Sequence, residues 1–182
     1  IKFHPRRNLI LGRNHTGKTS LIRSLFETLG AKPNGKLESW DENSTSLVEF
    51  SIDAKHYFAL HQNGRRALFN SKKELIKSTS NFSEWSELFC EITDFNLIFS
   101  DRESEVKPAA PDCFFLPFYI NQDGSWQSEW NTFRGMQRFS SPWTAILEYF
   151  TGICPPAYYR AKAERDQEAR FLADQKNEVR LL

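Results

Sequence analysis

Two glycines, a lysine and a hydroxyl residue near the start of the chain have the spacing of a phosphate-binding loop. Gly12, four further residues, and then Gly17, Lys18 and Thr19 fit the pattern GxxxxGK[ST]. Glycines let the backbone curl so that successive N–H groups point at phosphates, and the start of a following helix adds partial positive charge. We expect Lys18 to contact the β and γ phosphates and the Thr19 hydroxyl to ligate Mg²⁺. The candidate nucleotide-binding residues are Gly12, Arg13, Asn14, His15, Thr16, Gly17, Lys18, Thr19 and Ser20.

Such a loop must lie between a buried strand and a helix. The segment "NLIL" at 8–11 predicts this buried strand. The helix is predicted after the glycines and ends at Gly30, with Pro33 beyond it. Its apolar positions recur every three or four residues, at Leu21, Ile22, Leu25, Phe26 and Leu29. His15 lies at a variable position of the loop, where a solvent-facing spacer and a catalytic side chain are both possible readings.

The next part of the chain predicts a small antiparallel sheet. Residues 47–70 alternate apolar and polar side chains, and Asn63 with Gly64 forms a hairpin turn. Four further segments are predicted: a helix at 83–95, a strand at 96–99, a loop at 102–112, and a buried strand at 113–120 that Pro117 makes irregular.

Residues 157–182 predict a long, solvated helix, because they contain no Gly or Pro and eleven charged residues. Five of the eight positions at the spacing of a coiled-coil seam are apolar, which suggests a seam. The chain starts at Ile1 and stops inside this helical pattern. We therefore expect it to be an excerpt of a longer protein.

Composition limits the class of protein. The 182 residues include 24 basic and 23 acidic side chains, so the net charge of +1 gives no overall attraction to nucleic acid or membranes. The three cysteines form no CxxC pair, which favours a reducing compartment, and we expect a cytoplasmic protein. No apolar run approaches the roughly 20 residues of a membrane-spanning helix.

A GTPase would need the strings NKxD and DxxG, and neither occurs. A small kinase would need a carboxylate for Mg²⁺ on a later strand, and Asp101 at the end of "NLIFSD" is the candidate. Asp101 can equally be an ordinary polar residue that ends a strand. A complete small P-loop phosphotransferase that uses Asp101 for Mg²⁺ therefore stays open as an alternative.

A second motif lies far downstream. The apolar segment "FFLPFYINQDGSW" runs into Asn121, Gln122 and Asp123, and Gln122 follows Lys18 by 104 positions. This arrangement resembles the Q-loop of ABC-type ATPases, and the long separation resembles the SMC/RecF-type branch, in which a β-rich lobe follows the first helix. The resemblance implies that Gln122 touches Mg²⁺ and the attacking water, and so acts with Lys18 in catalysis. A strand-end amide that caps a turn is the simpler alternative.

The SMC-like resemblance implies an α/β fold. The chain would be half of a P-loop NTPase head with an antiparallel β lobe and a C-terminal helix that leads into a coiled coil. Residues 1–155 would be the N-terminal lobe and residues 156–182 the start of the arm. No "LSGG"-like string and no apolar run ending in "DE" occurs, as expected when the C-terminal half of the head carries those motifs.

The same resemblance implies function and partners. The head would bind ATP and Mg²⁺ and dimerise around them to clamp or sense DNA, and it would hydrolyse ATP only when the C-terminal half completes it. Further implied partners are a second head and accessory subunits, with no membrane. Genome maintenance, repair and defence against phage or plasmids are compatible settings. Defence systems of the Lamassu kind use such proteins, and nothing in the sequence selects among the settings.

Overall fold

The computed structural model describes residues 1–35, 41, 43–100, 106–122, 130–136 and 142–181. The described helices are α1 Lys18–Leu29, α2 Phe82–Thr93, α3 Pro111–Phe115, α4 Pro142–Thr151 and α5 Pro156–Leu181, with a 3-10 turn at Leu116–Phe118. The described strands are β1 Ser46–Ile52, β2 Lys55–Gln62, β3 Arg65–Phe69, β4 Leu75–Thr79, β5 Ile98–Ser100 and β6 Val106–Pro108.

Helix α1 forms where the sequence predicted it. Gly17 precedes its first turn with a φ of 81°, and Gly30 ends it with a φ of 99°, a left-handed conformation that glycine adopts readily. Gly30 also lies against Trp85, where an added Cβ would be 2.6 Å from the indole ring. The indole N–H of Trp85 donates to the Leu29 carbonyl at 3.0 Å. The end of α1 is therefore fixed against α2.

Strands β1 to β4 form an antiparallel sheet in sequence order. The predicted turn at Asn63 and Gly64 joins β2 to β3, and both residues have positive φ, of 49° and 73°. Strand β4, which pairs with β3, was not predicted from the sequence. One face of the sheet packs on α2 through a small apolar cluster made of Ala59, Leu68, Trp85 and Leu88, and Leu29 of α1 packs against this cluster.

The larger core is rich in aromatic rings. It brings together the helices α2, α3, α4 and α5 and the strands β5 and β6. Phe95, Leu97 and Ile146 are fully buried within it. Helix α1 reaches this core through Phe26, whose ring meets those of Phe115, Tyr119 and Phe133 at centroid distances of 5.2, 4.3 and 5.6 Å. Phe26 therefore connects the helix after the phosphate loop to the second half of the chain.

The prediction of a buried strand at residues 8–11 is wrong. These residues form no strand, and Leu9 and Leu11 are 81% and 80% exposed. The physical reason is the lack of a neighbour: β1 to β4 pair among themselves, β5 pairs with β6, and neither described sheet extends to this segment. A lone strand has no partner for its backbone N–H and C=O groups.

The prediction of a strand at 113–120 is also wrong. Pro111 begins α3 at a position where a missing N–H costs nothing, and Pro117 lies in the 3-10 turn that follows. Part of the predicted loop at 102–112 is strand β6, paired with β5, while 101–105 lie outside the described residues. Apolar content alone did not distinguish a short buried helix from a buried strand.

Helix α5 confirms the predicted long helix as far as Leu181. Its first turns are anchored: Tyr159 and Ala163 are each 3% exposed, and the Tyr159 hydroxyl donates to the Ala145 carbonyl at 3.0 Å. Beyond Asp166 the described side chains are exposed, including the apolar Phe171, Leu172 and Val179. No described helix is long and apolar enough to cross a membrane.

Candidate functional site

The predicted phosphate loop is a closed turn that leads into α1. An added Cβ at Gly12 would lie 2.6 Å from the hydroxyl oxygen of Thr16, so the loop brings these two residues together. That hydroxyl donates to the Arg13 carbonyl at 2.8 Å. His15 and Gly17 have positive φ, of 62° and 81°, and these values reverse the chain direction before the helix. The residues between the two glycines are exposed.

Lys18 folds back across the loop. Its ammonium donates to the carbonyls of Gly12 at 2.8 Å and Arg13 at 2.7 Å. An ammonium carries three N–H donors, so two hold the loop in shape and the third remains for an incoming anion. Lys18 can therefore stabilise the loop and contact a phosphate with the same group.

The start of α1 carries no side-chain cap hydrogen bond. The first backbone N–H groups of a helix have no partner within the helix, and they combine with its dipole to attract anions. With the Lys18 ammonium beside them, these groups fit a phosphate.

A cavity of about 460 Å³ lies over the loop. It is lined by Asn14, His15, Thr16, Gly17, Lys18, Thr19, Ser20 and Gln122. The structure thus places Gln122 at the same cavity as Lys18 and Thr19, although the sequence separates Gln122 from Lys18 by 104 positions. The hydroxyl of Thr19 and the amide oxygen of Gln122 are hard oxygen ligands of the kind that Mg²⁺ prefers.

Gln122 is exposed, whereas its neighbour Asn121 is 4% exposed and holds the segment in place. The Asn121 amide donates to the carbonyls of Asn34 and Thr132, each at 3.1 Å. These carbonyls belong to two segments that are already paired, because Pro33 and Phe133 form an antiparallel bridge. Sequence reasoning missed this role of Asn121, since its partners lie 87 and 11 positions away.

Carboxylates are missing from the described lining of this cavity, which holds only amide, hydroxyl, imidazole and ammonium side chains. Within the described ranges, no three or more His, Cys, Asp or Glu side chains form a cluster that could hold a metal ion. The alternative Mg²⁺ ligand Asp101, and Asp123 beside Gln122, lie outside the described residues. The described part of the site therefore supplies donors that suit a phosphate but no carboxylate.

Comparison with known proteins identifies relatives but no family model and no solved structure. The sequence is 26% identical over 184 residues to Lamassu protein LmuB of Bacillus cereus strain VD014, covering 98% of this chain and 32% of that protein. It is 29% identical over 127 residues to Lamassu protein LmuB of a Bacillus species, strain NIO-1130, covering 68% of this chain and 22% of that protein. The chain thus spans less than a third of the length of these relatives.

Proposed function

We propose that this chain is the N-terminal half of the ATP-binding head of an SMC-like ATPase that acts in anti-phage defence. The defence setting is supported by similarity to Lamassu protein LmuB across 98% of the chain. The observation that carries the nucleotide assignment is the shared cavity, in which Gln122 joins the loop residues 14–20. A turn-capping amide would not need to line that cavity.

ATP and Mg²⁺ fit the groups that line the cavity. The Lys18 ammonium and the uncapped N–H groups at the start of α1 would hold the phosphates. The hydroxyl of Thr19 and the amide of Gln122 would hold Mg²⁺, with Ser20 as a neighbouring donor. ATP supplies the phosphoanhydride bond whose presence or cleavage sets the state of the head. In the proposed function, Gln122 senses that state and relays it to the segment that Asn121 anchors.

Hydrolysis requires groups that the described cavity lacks. Positioning an attacking water and stabilising the developing charge take a carboxylate and further donors. In the proposed function these come from the C-terminal half of the head and from a second head that closes over the nucleotide. The closed dimer would clamp or sense DNA in the cytoplasm, with accessory subunits as further partners.

Nucleotide binding by the full natural protein tests the site. Replacing Lys18 with alanine removes a charge-assisted contact to phosphate worth about 3 kcal/mol, so affinity for a fluorescent ATP analogue should fall about a hundredfold. Lys55→Ala is the matched control, because Lys55 is an exposed lysine at the start of β2, outside the cavity. Equal affinity in the Lys18→Ala variant and the control would refute the site.

Phosphate release tests whether ATP hydrolysis requires the rest of the head. We expect the 182-residue chain, first checked for cooperative unfolding, to show no ATP turnover above that of its Lys18→Ala variant. We expect Lys18-dependent turnover when the rest of the head is present. Lys18-dependent turnover by the chain alone, at concentrations where it is monomeric, would contradict the half-head proposal and favour the phosphotransferase that uses Asp101.

A further inference from the structure

A second cleft lies at the far end of α1 from the phosphate loop. Its volume is about 420 Å³, and its lining includes Arg23 and Glu27 of α1, Lys32 after that helix, Arg66 of β3, and Arg134. Glu27 follows Lys18 by nine residues, which is about 14 Å along a helix at 1.5 Å per residue. The two cavities share no lining residue. The cleft is therefore separate from the proposed nucleotide site.

Three arginines from distant parts of the sequence meet in this cleft through shared acceptors. Arg23 forms an ion pair with the Glu27 carboxylate at 2.8 Å, while Arg66 donates through Nε and Nη2 to the Glu27 main-chain carbonyl at 3.2 and 3.0 Å. Arg23 and Arg134 both donate to the carbonyl of Gly35. These contacts hold the three guanidinium groups in fixed positions around one space.

The charges of the described lining are unbalanced. Arg23, Lys32, Arg66 and Arg134 face a single carboxylate, that of Glu27, which Arg23 already pairs. Arg66 is only 7% exposed, and its described hydrogen-bond partner is a neutral carbonyl. Burial lowers the pKa of Arg66, and the negative charges of Glu27 and Asp112 oppose this only in part. Four cations around one lining carboxylate repel one another, so an anion in the cleft would stabilise this arrangement.

His61 reports the same positive potential. It lines the cleft from β2, and its pKa is lowered first by burial and then by the charge of Arg66; Glu27 raises this pKa, and Lys32 lowers it further. The rim also offers neutral hydrogen-bonding groups, the side chains of Asn43, Asn63 and Ser80. Fixed guanidinium groups with neutral polar neighbours match a phosphate, because their planar donor geometry complements its oxygens.

We propose that this cleft is a second phosphate-binding site, independent of the phosphate loop. Its volume is that of a small-ligand pocket, so it can take the phosphate of a free phosphorylated molecule or one phosphodiester of a nucleic-acid strand. Lys32 and Arg134 are exposed and form the entrance, while Arg66 lies at the floor. The inference rests on the residues of the cleft and not on the proposed ATPase function.

Arg66 also has a purely structural role that the test must separate. Its two bonds to the Glu27 carbonyl neutralise the negative end of α1, so replacing Arg66 would damage the fold whether or not an anion binds. The test therefore uses the exposed entrance residues. The double variant Lys32→Ala, Arg134→Ala removes two cations at the cleft, and Lys55→Ala, Lys72→Ala removes two exposed cations elsewhere.

Both pairs are introduced into the full natural protein that already carries Lys18→Ala, so that the phosphate loop contributes little. Three probes are compared: inorganic phosphate by calorimetry, ATP by calorimetry, and a short fluorescein-labelled oligonucleotide by anisotropy. We expect the entrance pair to weaken at least one probe about tenfold, as loss of charge-assisted contacts does, and the control pair to change it less than about twofold.

The three probes identify the source of the phosphate. Weakening of phosphate or ATP binding indicates a free phosphorylated ligand, and weakening of the oligonucleotide alone indicates a nucleic-acid backbone; both outcomes support the site. Equal effects of the two pairs on every probe would overturn it, as would the absence of measurable binding of any probe in the Lys18→Ala background. A failure of the ATP site would show separately, as an unchanged ATP affinity in Lys18→Ala alone.

Discussion

Replacing Asn121 with alanine should loosen the segment that carries Gln122. The Asn121 amide is buried and donates to two carbonyls, those of Asn34 and Thr132. After the substitution, the Thr132 carbonyl keeps the N–H of Asn34 at 2.8 Å, whereas the Asn34 carbonyl loses its described donor. Of the described contacts, the substitution therefore leaves one partly buried acceptor unsatisfied and removes one further hydrogen bond.

These two losses set the size of the effect. An unsatisfied buried acceptor costs about 1 to 3 kcal/mol, and a lost hydrogen bond with a remaining partner costs about 0.5 to 1.5 kcal/mol. Because Asn34 is only partly buried, we expect about 2 to 3 kcal/mol of lost local stability. At about 1.4 kcal/mol per factor of ten, the pairing of the two segments should open about 30- to 150-fold more often.

Amide hydrogen exchange measures this opening directly. The N–H of Asn34 donates to Thr132, and the N–H of Arg134 donates to Lys32, each at 2.8 Å, so both amides are protected only while the segments stay paired. Asn96→Ala is the matched control, because Asn96 is exposed and the described hydrogen bonds of its side-chain amide go to the nearby Asp94. An increase in exchange of less than about threefold at both amides would refute the anchoring role.

Three further predictions concern the glycines and a buried thiol. Gly12→Ala should weaken ATP binding at least about tenfold, because its Cβ would meet the Thr16 hydroxyl at 2.6 Å; unchanged affinity would contradict this. Gly30→Ala should lower the free energy of unfolding by about 2 to 4 kcal/mol, because alanine would have to adopt a positive φ there and its Cβ would press on Trp85. Thermal melting measures this change, and a shift within error would contradict the prediction. Burial, followed by the charge of Glu87, raises the pKa of Cys90 from 9.0 to about 12. Between about pH 9 and pH 12 the thiol therefore ionises in the unfolded chain before it does so in the folded protein, and the free energy of unfolding should fall as the pH rises. A Cys90→Ala variant with the same pH dependence would contradict this.

Elements with strong local signals were predictable from the sequence. Helix α1 follows from apolar spacing and a terminal glycine, the β2–β3 hairpin from Asn63 and Gly64, and α5 from a long charged run without Gly or Pro. Each signal acts within a few residues of the structure it specifies. Tertiary contacts therefore had little opportunity to override it.

The remaining features depend on residues far apart in the sequence. Residues 8–11 have the composition of a buried strand but no described partner, and 113–120 are apolar enough for either a strand or a helix. The loop residues 12–20 follow from a motif, whereas the contacts of Asn121 arise only when the segments around Asn34 and Thr132 pair. No local pattern marks that pairing.

The arginine cleft lacks a sequence signal for the same reason. Arg23 and Arg134 share the Gly35 carbonyl although 111 positions separate them. Each of these residues alone resembles an ordinary surface charge in the sequence. Only the folded arrangement shows that they surround one space.

Helix α5 behaves mechanically as a lever. Its 26 residues span about 39 Å, and its buried contacts lie near its start, where Tyr159 and Ala163 pack under α4 and β5. About 27 Å of helix extends beyond Ala163, so a tilt of about 10° at the anchor moves the far end by about 5 Å. A small rearrangement around β5 would thereby become a displacement large enough to change what the distal part of the helix can touch.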